Sequence, residues 1–354
     1  MIRMLHIVGS MSPSGIGNFI MNIYRNIDRD KVQFDFIAHE QREISFDQEI
    51  LAMGGKIYYV TRKAVNPWKN FLEIKRVVKK GCYTIVFRHT DTAAVAVDLL
   101  ASKLGGAKRR IAHSHSTSTS NKKMHQLFQP MLHWVCTDYF ACSKAAGTWL
   151  YGNKSNYEVI WNGIDIDKFT YNIEKRNQIR KDENLEDCLV LGHIGNFMPV
   201  KNHKFLISLF AKIHEKNTNT KLMLVGDGSL RKDMEEQIRS YELEDCVILT
   251  GVRNDTDYLL QAMDLFLFPS FYEGMPIALV EAQAAGLPCL ISDIITDDVI
   301  VTNLVYKMSL EDDMGCWVQE TLKLVKDTAR VNTAELINEG GFNVKDLAKR
   351  YENI

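Results

Sequence analysis

No run of apolar residues is long enough to cross a bilayer. The longest are about one strand in length, against roughly 20 residues for a spanning helix. The N-terminus, MIRMLHIVGS, reads as a strand and has neither a signal-peptide apolar region nor a cleavage site. The seven cysteines, at 82, 136, 142, 188, 246, 289 and 316, contain no C-x-x-C pair. Their odd number and scattered spacing argue against a disulfide framework. They are expected as reduced core residues of a cytosolic protein. Neither sign of charge dominates: the net charge is −1, which gives no global argument for nucleic acid. One local basic stretch, KLGGAKRR (103–110), reads as a solvated turn before a strand or as a contact for anionic lipid head groups. There is no short-period repeat, no low-complexity segment, no Walker A, no G-x-S-x-G and no H-E-x-x-H.

What is present is βα alternation, twice. At 354 residues the chain is long for one core, so two domains are expected. In the first half, RMLHIVG, VQFDFIAH, KIYYV, TIVFRHT, RRIAHSHS, DYFACS and YEVIWNG read as strands. Helices are expected at NFIMNIYRNI, 67–80, 92–104, 121–136 and 144–151. The stretch 166–187 is charged and nearly free of aliphatic runs, as suits a linker. The alternation then restarts with CLVLGHIGN, KLMLVGDG, CVILTG, LFLFPS and PCLIS as strands. The expected division is a Rossmann-like domain over 1–165, a linker over 166–187, a second Rossmann-like domain over 188–331, and a helical tail over 332–354 that crosses back to the first domain.

One carboxylate is out of place. From Met275 to Ser292 the only charged residue is Glu281. Pro276 suits the first position of a helix, and Gly286 with Pro288 supplies its stop. Ala278, Leu279, Ala282 and Ala285 share one stripe, and Ile277, Val280 and Ala284 make the remainder nearly as apolar. A helix apolar almost all round is expected to be buried. An unpartnered carboxylate there would cost several kcal/mol, so Glu281 needs protein groups or a ligand as partners. Glu273 stands at the mouth of the same helix, just after LFLFPS. Strand ends leading into helix N-termini are where α/β proteins bind anions and polyols.

Other candidates are weaker alone. SPSGIGNF places Gly15 and Gly17 between the first strand and a helix, where backbone N–H groups can approach a phosphate or where a plain tight turn suffices. It is not G-x-G-x-x-G, and the second strand ends in His39 and Glu40 without the ribose-binding acid of an NAD site. His113 and His115 share one face at a strand end, but a metal reading needs a third ligand and none is evident. Lys201, in VKNHKFL, either neutralises a diphosphate or is solvated. Three D-x-D triplets, Asp28–Asp30, Asp165–Asp167 and Asp255–Asp257, each have a local turn or capping reason, and no metal is assigned to them.

Together these segments resemble the retaining GT-B glycosyltransferases of family 4, especially the bacterial capsular and exopolysaccharide branch. FPSFYEGMPIALVEAQAAGLPCLIS matches the E-x7-E region, with Glu273 and Glu281 as its two glutamates. The N-terminal glycine loop, HSHST, FACSKAAGTWLYG, VIWNGIDIDKF, VKNHKFL, VGDG, LTGVRND and AMDLFLFPS follow in the family's order. The resemblance implies a GT-B fold: two Rossmann-like doubly wound parallel-sheet domains facing a central cleft. It implies a nucleotide-sugar donor, a UDP-sugar, on the second domain and a glycan acceptor on the first, lipid-linked and bringing peripheral contact with the inner face of the cell membrane. By the same resemblance Glu281 binds the ribose hydroxyls, and Glu273 with the backbone of Gly274 and Met275 contacts the donor sugar. Lys201 binds the diphosphate, and His115 lies near the reaction centre. The loop with Gly15 and Gly17 closes over the diphosphate, and the backbone near Val252 and Arg253 holds the base. Enzymes of this type need no bound metal or other cofactor. Two positions depart from the pattern. Asn196 stands where the family usually has Arg, so Arg253 would have to assist Lys201 or the diphosphate is held more weakly. Trp161 stands where Pro is common. The alternatives are a catalytically weak subunit that binds a sugar nucleotide or a partner enzyme, and an NAD-dependent Rossmann oxidoreductase.

Overall fold

Strands buried on both faces of a parallel sheet read as near-continuous apolar runs, and that is how the strands here are written. The computed structural model describes residues 1–119, 121–152, 156–327 and 329–354. It divides into two units, Met1–Gly163 with Val344–Ile354, and Ile164–Asn343.

The first unit holds β1 (Ile2–Ile7), β2 (Val32–Ala38), β3 (Ile57–Tyr59), β4 (Ile85–Thr90), β5 (Arg109–Ser114), β6 (Asp138–Ala141) and β7 (Glu158–Val159). They form a parallel sheet in the order β3-β2-β1-β4-β5-β6-β7. The second unit holds β8 (Leu189–Ile194), β9 (Thr220–Val225), β10 (Val247–Gly251), β11 (Leu265–Phe268), β12 (Cys289–Ser292) and β13 (Val305–Met308). Their order is β10-β9-β8-β11-β12-β13, again parallel. Both are doubly wound Rossmann-like sheets, as expected. In each the strand order reverses once, between β1 and β4 and between β8 and β11. Ligands of open α/β sheets bind at that reversal, outside the carboxyl ends of the strands.

The chain between the sheets is not a linker. Residues 166–187 belong to the second unit and contain the helices Ile166–Phe169 and Ile173–Asp182. Charges that read as solvated point inward instead. Arg176 donates to the carbonyls of Gln261, Ala262 and Met263 at 2.9, 3.1 and 2.9 Å, and Arg180 to that of Ala262 at 2.8 Å. Both also pair with Asp264. The carbonyls lie at the end of the helix Thr256–Ala262, where the helix dipole favours cations.

The C-terminal boundary also moves. Residues 332–343 stay with the second unit, and only Val344–Ile354 joins the first. The helix Val344–Glu352 buries Tyr351 completely, stacked on Phe87 at 5.3 Å and beside Phe34 at 6.0 Å. Burying such a ring contributes roughly 1.5–3 kcal/mol. Glu352 accepts from the Asp28 backbone N–H at 2.9 Å, and Arg109 donates to the carbonyl of Ile354.

Two further expectations change. Of the cysteines, Cys136, Cys142 and Cys289 are buried, but Cys82 and Cys316 are exposed; all seven are free thiols. The helix carrying Glu281 spans Ile277–Ala284, with Pro276 as its N-cap rather than its first residue. Its stop is as expected: Gly286 takes φ +62°, and a Cβ there would stand 2.0 Å from the Val331 carbonyl oxygen. No helix among the described residues is long and apolar enough to cross a membrane.

Candidate active site

The candidate residues fall into two groups, one in each unit, on the loops and helices that follow the strands of its own sheet. In the second unit β8 runs into the 3₁₀ turn Pro199–Lys201. Asn202 follows in the left-handed region at φ 57° and opens the helix His203–Lys216. Lys201 Nζ donates to Glu273 Oε1 at 2.7 Å, and both side chains are largely buried. The ammonium also lies 4.9 Å from the centre of the Phe268 ring, at the end of β11. Phe271 N–H donates to the Val200 carbonyl at 2.8 Å, which ties the loop after β11 to the turn after β8. The lysine stem passes over Gly195, where an added Cβ would stand 3.2 Å from Lys201 Cε. Gly274 is exposed and open around its Cα, and the Met275 carbonyl accepts from Ile277 N–H at 3.0 Å.

Glu281 is half-buried on this helix. Protein atoms still crowd the carboxyl enough that desolvation pushes it up to about 8, opposed by the charge of Lys168 and reinforced by that of Asp257. Lys168 Nζ pairs with Asp257 Oδ1 at 3.0 Å. This pair beside Glu281 had no role in the sequence reading. Lys168 is inside the VIWNGIDIDKF segment, so its position was available but its direction was not.

Asn196 is exposed on the loop after β8. Val252 is exposed after β10. Arg253 forks onto Asp255 at 2.8 and 2.7 Å and reaches Glu183 at 3.6 Å, so its charge is already compensated. The hydrogen bond to Asp255 is the main cause of its raised pKa. It is therefore a poor substitute for the charge that Asn196 lacks.

In the first unit Ser14 caps the helix Gly15–Asn26 by accepting from Gly17 N–H at 3.3 Å. Gly17 is required sterically, because a Cβ would stand 2.1 Å from the Ser12 carbonyl oxygen; around Gly15 the space is open. Phe19 on this helix presents an edge to His113 and His115, with ring centres 5.0 and 5.3 Å away.

The sheet register places His89 of β4 beside His113 of β5, and His115 follows at the strand end. His89 Nδ1 lies 2.8 Å from His115 Nε2, and His89 Nε2 lies 3.0 Å from His6 Nδ1 on β1. Burial holds His6 and His115 down to about 3, and His89 and His113 well below the usual imidazole value, so all four are neutral at pH 7. The third imidazole that the sequence did not reveal is His89. Ligand atoms of His89, His113 and His115 lie within 4.8 Å of one another, a set that could hold a divalent metal. Hydrogen bonding to His6 and His115 accounts for both ring nitrogens of His89 without one.

The D-x-D carboxylates have local partners. Asp28 accepts from Asp30 N–H at 3.1 Å and pairs with Lys31, while Asp165 caps the helix Ile166–Phe169. Arg253 holds Asp255, and Lys168 holds Asp257. In KLGGAKRR, Arg109 pairs with Asp138 at 2.7 Å, and Arg110 donates to the carbonyls of Val135, Ala107 and Lys108. Both arginines are engaged by the fold, which favours the structural turn.

Known proteins match this chain over most of its length. Residues 13–168 match the model of Glycosyltransferase Family 4, and residues 174–313 match that of Glycosyl transferases group 1. EpsF of Bacillus subtilis (strain 168), which carries a glycosyltransferase name, is 36% identical over 334 residues, covering 90% of this chain and 86% of that protein. An Escherichia coli UDP-Gal:alpha-D-GlcNAc-diphosphoundecaprenol alpha-1,3-galactosyltransferase is 24% identical over 100% of this chain and 95% of its own length. Among solved structures, Anabaena Alr3699/HepE in complex with UDP superposes with a TM-score of 0.82 at 18% identity, covering 100% of this chain and 99% of that one.

Proposed function

The chain belongs to the family 4 glycosyltransferases, and from that premise we propose that it moves a sugar from a UDP-sugar to a lipid-linked glycan in polysaccharide synthesis, retaining the anomeric configuration and using no metal. The observation that carries the reading is the grouping in the second unit. A lysine held on Glu273 at one strand end and a second glutamate eight residues later, on the helix behind it, suit a diphosphate and two sets of hydroxyls.

In this reading the donor divides the Lys201–Glu273 pair. The ammonium turns to the diphosphate and the carboxylate to hydroxyls of the transferred sugar. Glu281 takes the ribose hydroxyls in its ionised form, and Gly274 and Met275 offer backbone N–H groups. The base lies against the backbone at Val252 and Arg253. As the C1–O bond to the diphosphate breaks, both electrons leave with the phosphate oxygen. Lys201 and the backbone amides stabilise that charge. The acceptor hydroxyl bonds to C1 from the same face and gives its proton to the departing phosphate. No side chain is assigned as a covalent nucleophile. His115, neutral and held by His89, is assigned to the sugar near the reaction centre, and the loop with Gly15 and Gly17 to the diphosphate.

Relatives named for capsular polysaccharide and for diphosphoundecaprenol acceptors support the acceptor class, and solved relatives with UDP and UDP-glucose support the nucleotide. Peripheral association with the membrane follows from an acceptor of that kind. Calorimetry with UDP, GDP, ADP and NAD, each with and without EDTA, tests the donor assignment. UDP binding that survives EDTA is expected. Binding of NAD alone would overturn it.

A further inference from the structure

The first unit contains a cavity of about 310 Å³ at the carboxyl ends of β1 to β4, which the mechanism above does not use. Four cations line it: Arg42, Arg62, Lys63 and Arg88. Two are fixed. Lys63 and Arg88 each reach the buried Asp98 at 2.8 Å. The other two are not. Arg42 and Arg62 are more than half exposed and approach Glu40 only at 3.8 and 3.7 Å, too far for a hydrogen bond. Four cations thus stand against two carboxylates, Glu40 and Asp98, and leave an excess of two positive charges in one concavity. Its effect is felt at His39 on the wall: burial first, then the charges of Arg88, Lys63 and Arg62 push that imidazole down to about 4, with Asp98 in partial opposition.

A protein that gathers like charges into a recess on the ligand-binding side of a sheet raises the local concentration of anions there. The loose guanidinium forks of Arg42 and Arg62 match phosphate oxygens two at a time. We propose that this pocket binds the phosphate or diphosphate ester of the acceptor. A diphosphate diester carries two negative charges, the number left uncompensated. The inference rests on the acceptor assignment above, and it names the group by which the first unit would hold that acceptor.

The test uses the full chain with UDP at saturation, so that the donor site is filled. Inorganic pyrophosphate and an alkyl-diphosphate-linked N-acetylglucosamine are titrated by calorimetry into the wild type and into the Arg42→Gln, Arg62→Gln double variant. Both side chains are exposed, and an unchanged melting temperature verifies the fold. Loss of two charged hydrogen-bond donors should weaken both ligands by about ten- to a hundredfold while UDP affinity stays the same. Equal affinities in wild type and variant would overturn the proposal. So would wild-type binding to phosphatidylglycerol vesicles that needs these arginines while pyrophosphate does not bind, because the surface would then be a membrane contact. A variant that loses pyrophosphate in a protein that never binds UDP would leave the pocket standing and sink the donor assignment alone.

Discussion

Replacing Glu281 with Gln should make the ligand-free protein more stable and the UDP complex weaker. The carboxyl titrates at 4.5 when unperturbed and at about 8 in the fold. Between those values the native state holds a proton that the unfolded chain has released. Stability therefore falls as pH rises through the window, and the full cost is in place above 8. A tenfold change in proton affinity is about 1.4 kcal/mol. The interval from 4.5 to pH 7 then sets an upper bound of about 3.5 kcal/mol, which the residue's partial exposure reduces to roughly 1–2 kcal/mol. Glutamine removes the cost without removing much volume. Thermal melts should show a gain of about 2–8 °C at pH 7, larger at pH 8.5 and smaller at pH 5. Calorimetry should show the reverse for UDP. If the ribose needs the ionised carboxyl, about one molecule in ten is ready at pH 7, and wild-type affinity should improve about tenfold by pH 9. The Gln variant should be flat with pH and weaker throughout. A variant that melts lower at pH 8.5, or binds UDP as the wild type does, would refute the assignment of Glu281 to the ribose.

Lys201→Met leaves Glu273 without its 2.7 Å partner and should lower kcat about 10²- to 10³-fold, whereas Glu273→Gln should keep UDP affinity and lose turnover; steady-state kinetics beside UDP titration separates the two. Asp264→Ala strands Arg176 and Arg180 and should cost about 3–5 kcal/mol in urea unfolding, while a true linker at 166–187 would barely respond. His89→Phe removes the 2.8 Å partner of His115 and should lower kcat without changing UDP affinity, and an equal loss of both would reassign His89 to the fold alone.

The central strands could be read from the chain because they are buried on both faces and so written as apolar runs, whereas the edge strand β13 (Val305–Met308), only half-buried, was not. The glutamate pair, the lysine and the histidines could also be read as residues, but not as contacts. Lys201 and Glu273 meet across 72 positions because β8 and β11 are neighbours at the strand reversal, and nothing local encodes that adjacency. His89 joins His115 in the same way, through the pairing of β4 with β5. The charged segment 166–187 misled because composition shows that Arg176 and Arg180 are cationic, not that they turn inward to Asp264 and to a helix end. The helix around Glu281 could be read correctly: Leu279, Val280, Ala282 and Ala284 are buried as their apolar stripe implies, and Glu281 itself is half-buried.

The most direct test of the account is transfer itself. UDP-sugars are incubated with an alkyl-diphosphate-linked N-acetylglucosamine and the full chain in EDTA, and the product is examined by NMR for the anomeric proton of the new linkage. The account predicts an α-linked product from an α-configured UDP-sugar, formed with EDTA present and lost in the Glu273→Gln variant. A β-linked product, or transfer that appears only when a divalent metal is restored, would contradict it.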